Sequence, residues 1–198
     1  MRIRIYPENP NAKALEQVAS VLAGGGVIIY PTDGVYAFGC SVKSARGVER
    51  MCALRGKSQR SLTLVCDSIS TASEYARIDN SQFRILKRNT PACFTFILAA
   101  LSRIPDKAIG RRRTVGIRIP DNGVTQAIIA ASGAPLLSMS VREAEGEYMT
   151  DPELIDEKYG GRVDAVVDGG YGMLLPTTIV DMTGPEPEIL RQAGAELE

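Results

Sequence analysis

An apolar run, Val27-Ile28-Ile29, leads into Tyr30-Pro31-Thr32-Asp33-Gly34-Val35-Tyr36, and this junction constrains the fold more than any other stretch. The run predicts a short buried strand. Pro31 and Gly34 then shape the backbone that leaves it. Ala37-Phe38-Gly39-Cys40 reads as a small, tightly turned segment before a helix-like one. A hydroxyl, a carboxylate, a glycine and a phenol thus gather at a strand exit, which is where open α/β sheets bind ligands. The same residues also make an ordinary strand-end turn, with Asp33 capping.

The chemistry open to such a site is narrowed by what is missing. The chain of 198 residues contains no histidine. Ser-His-Asp and Cys-His triads, imidazole acid–base chemistry and His-ligated zinc are therefore excluded. Cys40, Cys52, Cys66 and Cys93 show no C-x-x-C spacing and read as buried free thiols of a reducing compartment. No apolar run approaches transmembrane length, and the start of the chain reads as a strand without a signal-peptide core, so a cytoplasmic protein is expected. No metal site of the protein's own is expected.

Net charge is zero, but it is unevenly distributed. Residues 1–118 carry 19 Lys/Arg against 8 Asp/Glu, whereas residues 119–198 carry 4 against 15. That asymmetry suggests a basic face for an anionic partner such as a nucleotide or RNA. Mutual neutralisation of the two parts in the fold is the other reading.

Apolar spacing predicts a helix through Leu15, Val18, Ala19 and Leu22, capped from Asn9-Pro10-Asn11 and ended by Gly24-Gly25-Gly26. Ser44 is expected to cap a second helix with Val48, Met51, Cys52 and Leu54 inward. That helix delivers Arg55, Lys57 and Arg60, more cations than its C-terminus requires. Further strands are expected at 61–66, 94–98, 114–119, 135–141 and 164–168, with a closing pair at 176–181 and 188–191. Short helices are expected near Ser70–Tyr75 and after Asn80, with others at Val124–Ala131 and from Asp151-Pro152-Glu153. Arg111-Arg112-Arg113 reads as a solvated charge run or a nucleic-acid contact, and Arg118 on a buried strand needs a partner. Helices alternate with strands early and strands pair late, which argues for an α/β fold with a mixed sheet. No boundary divides residues 1–198, so one domain is expected. No G-x-x-x-x-G-K-[ST] or G-x-G-x-x-G motif is present, so any nucleotide must be held by side-chain cations and strand-end hydroxyls.

Several segments, taken in order, resemble the YrdC/YciO family of threonylcarbamoyl-AMP synthase-like domains. Pro31-Thr32-Asp33-Gly34-Val35-Tyr36 is similar to P-T-D-T-V-Y-G, and Arg55-Gly56-Lys57 stands where the family has K-x-R. Thr90-Pro91-Ala92-Cys93-Phe94-Thr95 resembles P-G-x-x-T, and Arg118-Ile119-Pro120 matches R-x-P. Ser138-Met139-Ser140 falls on T-S-A-N. Thr177-Thr178-Ile179-Val180-Asp181 resembles S-T-[IV]-[VI]-D, and Arg191-Gln192-Ala193-Gly194 resembles the closing R-x-G. The segments 83–98 and 114–141 look closest to the YciO branch. The chain departs from the pattern at Gly34 and Ala37, at the exchanged Arg55 and Lys57, and at Arg142, where the family has an amide.

The resemblance implies a YrdC-like twisted mixed β-sheet with flanking helices and a concave basic cleft. It implies ATP, L-threonine and bicarbonate as substrates, Mg²⁺ arriving with ATP, and a link to tRNA threonylcarbamoyladenosine modification. Arg55, Lys57 and Arg60 are then catalytic candidates at the triphosphate. Arg118, Ser138, Ser140, Thr178 and Arg191 are candidates for phosphate binding, and Thr32, Tyr36 and Thr95 for threonine. For Tyr36, a buried ring with a satisfied hydroxyl is the alternative. For Arg142, a phosphate contact and an ion pair with Glu143, Glu145 or Glu147 are both open. The alternative function is a non-catalytic module binding double-stranded RNA, tRNA or rRNA, with Arg111, Arg112 and Arg113 in contact.

Overall fold

Short strands buried on both faces set the architecture. The computed structural model describes residues 1–55, 62–109, 113–142 and 148–198, without the side chain of Arg55. The strands are β1 (Arg2–Arg4), β2 (Ile28–Tyr30), β3 (Ala37–Ser41), β4 (Thr63–Val65), β5 (Phe94–Ala99), β6 (Thr114–Arg118), β7 (Leu136–Ser140), β8 (Ala165–Asp168), β9 (Thr178–Asp181) and β10 (Glu188–Arg191). They form one ten-stranded sheet in the order β1-β8-β2-β3-β7-β4-β6-β5-β9-β10. Parallel pairs (β1–β8, β2–β8, β4–β6, β5–β9) mix with antiparallel ones, including the closing β9–β10 pair. The expected mixed α/β sheet is thus what forms.

The helices are α1 (Ala12–Ala23), α2 (Ala45–Arg55), α3 (Ile69–Ser73), α4 (Asn80–Asn89), α5 (Gly123–Ser132) and α6 (Pro152–Tyr159). Their starts follow local chemistry. Asn11, Ser68, Asn122 and Asp151 each accept a backbone N–H at an N-cap, and Gly133 closes α5 at φ 63°. None of the described helices is long and apolar enough to cross a membrane.

Alternation along the strands builds two cores. Ile28, Tyr30, Ala165, Val167 and Leu136 pack with Val18 and Leu22 of α1 and Val124, Ile128 and Ile129 of α5. Val27, Ile29, Phe38, Cys40, Val166 and Leu137 point the other way. They pack with Met51 of α2, Leu86 of α4 and Ile155 of α6. Helices α1 and α5 lie over the β1–β8–β2 end of the first face. Further along, that face presents Ser138, Thr63, Gly116 and Thr95 instead of a helix contact, and a cleft opens there.

Two sequence expectations are corrected. Residues 37–40 do not turn tightly: they are β3, paired with both β2 and β7. The small residue serves packing, because a Cβ on Gly39 would stand 2.6 Å from the Tyr30 ring on the neighbouring strand. The cap of α4 is Asp79 rather than Asn80. Its carboxylate accepts the Gln82 N–H at 2.8 Å while the Gln82 side chain accepts the Asp79 N–H at 2.9 Å.

One buried ion pair ties the loop 31–36 to the sheet. Arg118, at the end of β6, donates from Nη2 to Asp33 and, at 3.0 Å, to the Thr32 hydroxyl. The second Asp33 oxygen accepts the Asp121 N–H at 3.0 Å, next to the start of α5. Thr32 donates in turn to the Val35 carbonyl at 2.7 Å and accepts the Gly34 N–H at 3.1 Å. Asp33→Ala leaves a buried guanidinium without its counter-charge and is expected to cost about 3–5 kcal/mol. Urea unfolding measures this. Adding Arg118→Met to the same chain should restore a large part of it. A single variant within ~0.5 kcal/mol of the parent would show that the pair does not hold the loop.

Candidate functional site

A cleft of about 1310 Å³ lies over the uncovered part of the sheet. Register builds its floor. Ser138 pairs with Thr63, Thr63 with Gly116 and Gly116 with Ile97, so a row of small and hydroxylic residues crosses β7, β4 and β6 and ends on Ile97 of β5. Gly116 keeps the floor low, since a Cβ there would meet the Thr95 methyl at 2.8 Å. The lining also includes Met139 of β7, Phe38 of β3 and Tyr159, together with Arg142, Lys158 and Arg162.

At the β9–β10 side, the Thr95 and Thr177 hydroxyls share a hydrogen bond of 2.8 Å. Arg191 clamps Thr177, donating from Nε and Nη2 to its carbonyl at 2.9 and 2.7 Å and from Nη2 to its hydroxyl at 3.2 Å. Arg118 stands between this group and β7, its charge balanced by Asp33. Its buried Nε has no partner among the described residues. At the other end, the Tyr159 hydroxyl donates to the Arg142 carbonyl at 2.8 Å. The Arg142 guanidinium stacks on Tyr148 at 4.6 Å and donates to its hydroxyl. Among the described residues, no carboxylate lines the cleft. The arrangement can bind and orient anions, and it offers no carboxylate general base.

Of the residues proposed from sequence, Arg118, Ser138, Ser140, Arg191 and Thr95 come together in this cleft. Thr32, Tyr36 and Thr178 do not line it. Thr32 is engaged within its loop and with Arg118. The Tyr36 hydroxyl donates to the Gly170 carbonyl at 2.6 Å and accepts the Gly169 N–H at 3.2 Å. Burial pushes this phenol up to about 12, so it remains a donor. Thr178 faces away from the cleft. Its hydroxyl donates to the Ala195 carbonyl at 2.6 Å and accepts the Ala193 N–H at 3.0 Å, holding the C-terminal segment. Thr177 faces the cleft instead, because neighbouring strand residues point to opposite faces. Ser138 is already engaged, accepting from Tyr30 and donating to the Phe38 carbonyl, both at 2.9 Å. Ser140 is exposed to the cleft.

The Arg55 side chain, Lys57 and Arg60 lie outside the described residues, as do Arg111, Arg112 and the glutamates at 143, 145 and 147. Leu54 and Leu62, which bracket the 55–61 segment, both line the cleft. Arg113 contacts Asp106 at 3.4 Å and does not line it. The sequence reading missed Thr63, Thr177, Lys158 and Arg162. A signal for two of them was present: the acidic part, residues 119–198, has only Arg142, Lys158, Arg162 and Arg191 as cations, and all four line the cleft.

Gly34 marks a close approach. Its carbonyl accepts the Met173 N–H at 3.1 Å. A Cβ at this position would lie 2.9 Å from the Leu175 carbonyl oxygen and 3.1 Å from Cys93 Sγ. The hydroxyl-bearing residue of the P-T-D-T pattern fits here only if the 172–176 backbone moves. Gly34→Thr is therefore expected to destabilise by about 1–3 kcal/mol, read as a lower urea midpoint. An unchanged midpoint would mean that the segment yields freely.

Comparisons with known proteins agree with this architecture. The Sua5, YciO and YrdC family model, described as "Telomere recombination", matches residues 20–193. An uncharacterized protein of Haemophilus influenzae is 41% identical over 194 residues, covering 96% of this chain and 94% of that one. YciO of Escherichia coli is 36% identical over 197 residues, 98% and 96% of the two chains. Its crystal structure superposes with a TM-score of 0.94 over 99% of this chain and 97% of that one. A threonylcarbamoyl-AMP synthase of Halorhodospira halophila is 29% identical over 170 residues, 84% of this chain and 89% of that one. The fold is also that of P. abyssi Sua5 complexed with L-threonine, at a TM-score of 0.91 and 22% identity. That match covers 98% of this chain and 58% of the Sua5 chain. With its mixed sheet, its cationic cleft and the motifs around Asp33, Arg118 and Arg191, the chain belongs to the Sua5/YciO/YrdC family.

Proposed function

We propose that the chain is a threonylcarbamoyl-AMP synthase-like enzyme that binds ATP and L-threonine, with bicarbonate, in this cleft. The observation that carries the reading is a cleft lined by cations and hydroxyls and by no described carboxylate. The family relationship and the likeness to a threonylcarbamoyl-AMP synthase support it. The product would feed tRNA threonylcarbamoyladenosine modification.

The threonine amine and bicarbonate condense to a carbamate with loss of water. A carbamate oxygen then attacks the α-phosphorus, and the bond to the β-phosphate oxygen breaks to release pyrophosphate. Such a transfer needs positioning and charge stabilisation above all. Arg118, with the Thr95–Thr177 hydroxyl pair, suits the amino-acid end, and Arg191 fixes Thr177 there. Thr32 and Tyr36 act through the loop, by supporting Arg118 and anchoring residues 169–170. Ser138 and Ser140 face the nucleotide. Arg55, Lys57 and Arg60 are assigned to the same nucleotide by the family pattern.

The described lining contains no carboxylate to hold Mg²⁺, and no group of metal-binding side chains occurs among the described residues. Mg²⁺ binding usually takes a protein carboxylate or two besides substrate phosphates. The described residues do not make such a site, and no step is assigned to a protein-held ion.

The expected result is pyrophosphate release that requires ATP, L-threonine and bicarbonate together. Bound nucleotide without threonine-dependent release would sink the reading. Thr177→Val should raise the KM for threonine by about tenfold, the worth of one good hydrogen bond, with a smaller change for ATP. An equal change for both substrates would remove Thr177 from the amino-acid end.

A further inference from the structure

Ser138 lines the cleft, yet the residue is only 5% exposed, and its hydroxyl is held from behind. The holder is Tyr30, on a strand that is not its neighbour. In the sheet order β3 separates β2 from β7, so the Tyr30 phenol reaches across two strand spacings, roughly 10 Å. Its path runs over Gly39, the residue of β3 that pairs with Ser138. A side chain there would block the path, since a Cβ on Gly39 would stand 2.6 Å from the Tyr30 ring. A fully buried tyrosine, a glycine window and a cleft serine thus form one row across β2, β3 and β7.

The direction of each hydrogen bond in this row is set by its far end. The Phe38 carbonyl can only accept, so the Ser138 hydroxyl places its one proton there, at 2.9 Å. The bond of 2.9 Å between Tyr30 and Ser138 then runs from the phenol to the serine oxygen. Burial pushes the Tyr30 phenol up to about 12, so its proton stays in place. A hydroxyl offers one donor and two acceptor positions. With the donor and one acceptor position used inside the sheet, Ser138 keeps a single lone pair for a ligand.

We propose that Tyr30 is a positioning residue that locks Ser138 as a hydrogen-bond acceptor toward the cleft. Ser138 then recognises an N–H or O–H group of the ligand and does not donate to phosphate or carboxylate oxygens. The phosphate-binding role expected for Ser138 from sequence is incompatible with this direction. The choice of ligand rests on the function proposed above. On that reading the donors are the ribose hydroxyls and amino group of adenosine, or the amine and hydroxyl of L-threonine.

Two double-mutant cycles over Tyr30→Phe and Ser138→Ala test the lock and its consequence. The first reads urea midpoints and needs no ligand. Tyr30→Phe keeps the ring over Gly39, and it should lower the midpoint in the parent chain and much less in the Ser138→Ala chain. Equal shifts in both chains would mean that the two hydroxyls are not coupled, and the lock would be overturned. The second cycle reads calorimetric affinities for ATP, adenosine and L-threonine. Ser138→Ala should weaken either L-threonine, or adenosine and ATP alike, by about tenfold. Tyr30→Phe should weaken the same ligand by about threefold in the parent chain and add nothing in the Ser138→Ala chain. A tyrosine with a merely structural role would not make its effect on affinity depend on Ser138. A loss confined to ATP, with adenosine and L-threonine kept, would assign Ser138 to the phosphates and overturn the inference. So would a Ser138→Ala chain that loses affinity for none of the three, or Tyr30→Phe losses that are equal with and without Ser138. A parent protein that binds none of the three removes the function proposed above and the choice of ligand with it, while the urea cycle still decides the lock.

Discussion

The buried pair between Arg118 and Asp33 is the interaction on which the site depends. It joins the β2–β3 loop, the end of β6 and the start of α5, three elements distant in sequence. Burying both charges is costly, and the pair is tolerable because Thr32 and the Asp121 N–H supply further hydrogen bonds. The consequence for the cleft is electrostatic. The guanidinium best placed at the middle of the floor is already balanced, so it orients a ligand more than it attracts one. Attraction is left to the cations at the two ends.

Charge is segregated along the chain and then partly mixed by folding. Ion pairs join the basic and acidic parts, among them Arg2 with Glu153, Arg4 with Asp168 and Arg50 with Asp164. Asp164 also accepts the Val27 N–H at 2.7 Å, which ties β8 to the start of β2. Neutralisation between the two parts is therefore real, and it takes place around the β1–β8–β2 end. The cleft lies away from it, lined by Arg118 of the basic part, already paired with Asp33, and by Arg142, Lys158, Arg162 and Arg191 of the acidic part. The two readings of the charge asymmetry thus apply to different ends of one sheet.

Family likeness and local chemistry separate at particular residues. Gly34 and Gly39 look like turn formers in sequence, yet both are demanded by close approach: one to the Leu175 carbonyl, the other to the Tyr30 ring. Tyr36 and Thr178 look like ligand contacts, yet each hydroxyl is consumed in holding backbone. Three of the thiols are held protonated for a similar reason. Burial raises Cys40 to about 12 and drives Cys66 and Cys93 upward as well. The family pattern around Asp33 is therefore a framework that places Arg118, and the hydroxyls facing the ligand come from β5, β7 and the residue before β9.

By itself the sequence determined most of the strands and helices, though not β3 or the Asp79 cap of α4, and the mixed character of the sheet. These follow from apolar spacing and from capping side chains that act within a few residues. It also determined the chemistry available, since a chain without histidine must work with cations, hydroxyls and backbone. Tertiary structure alone decided which face each residue serves. One step along a strand separates Thr177, in the cleft, from Thr178, buried behind it, and only strand register chooses between them. Packing places Arg142, with Lys158 and Arg162 of α6 and the residues after it, in the cleft lining, and Arg191 lines it from β10, five strands from β7. The strand order β7-β4-β6-β5-β9-β10 sets that distance, and it depends on long-range pairing that no local pattern encodes.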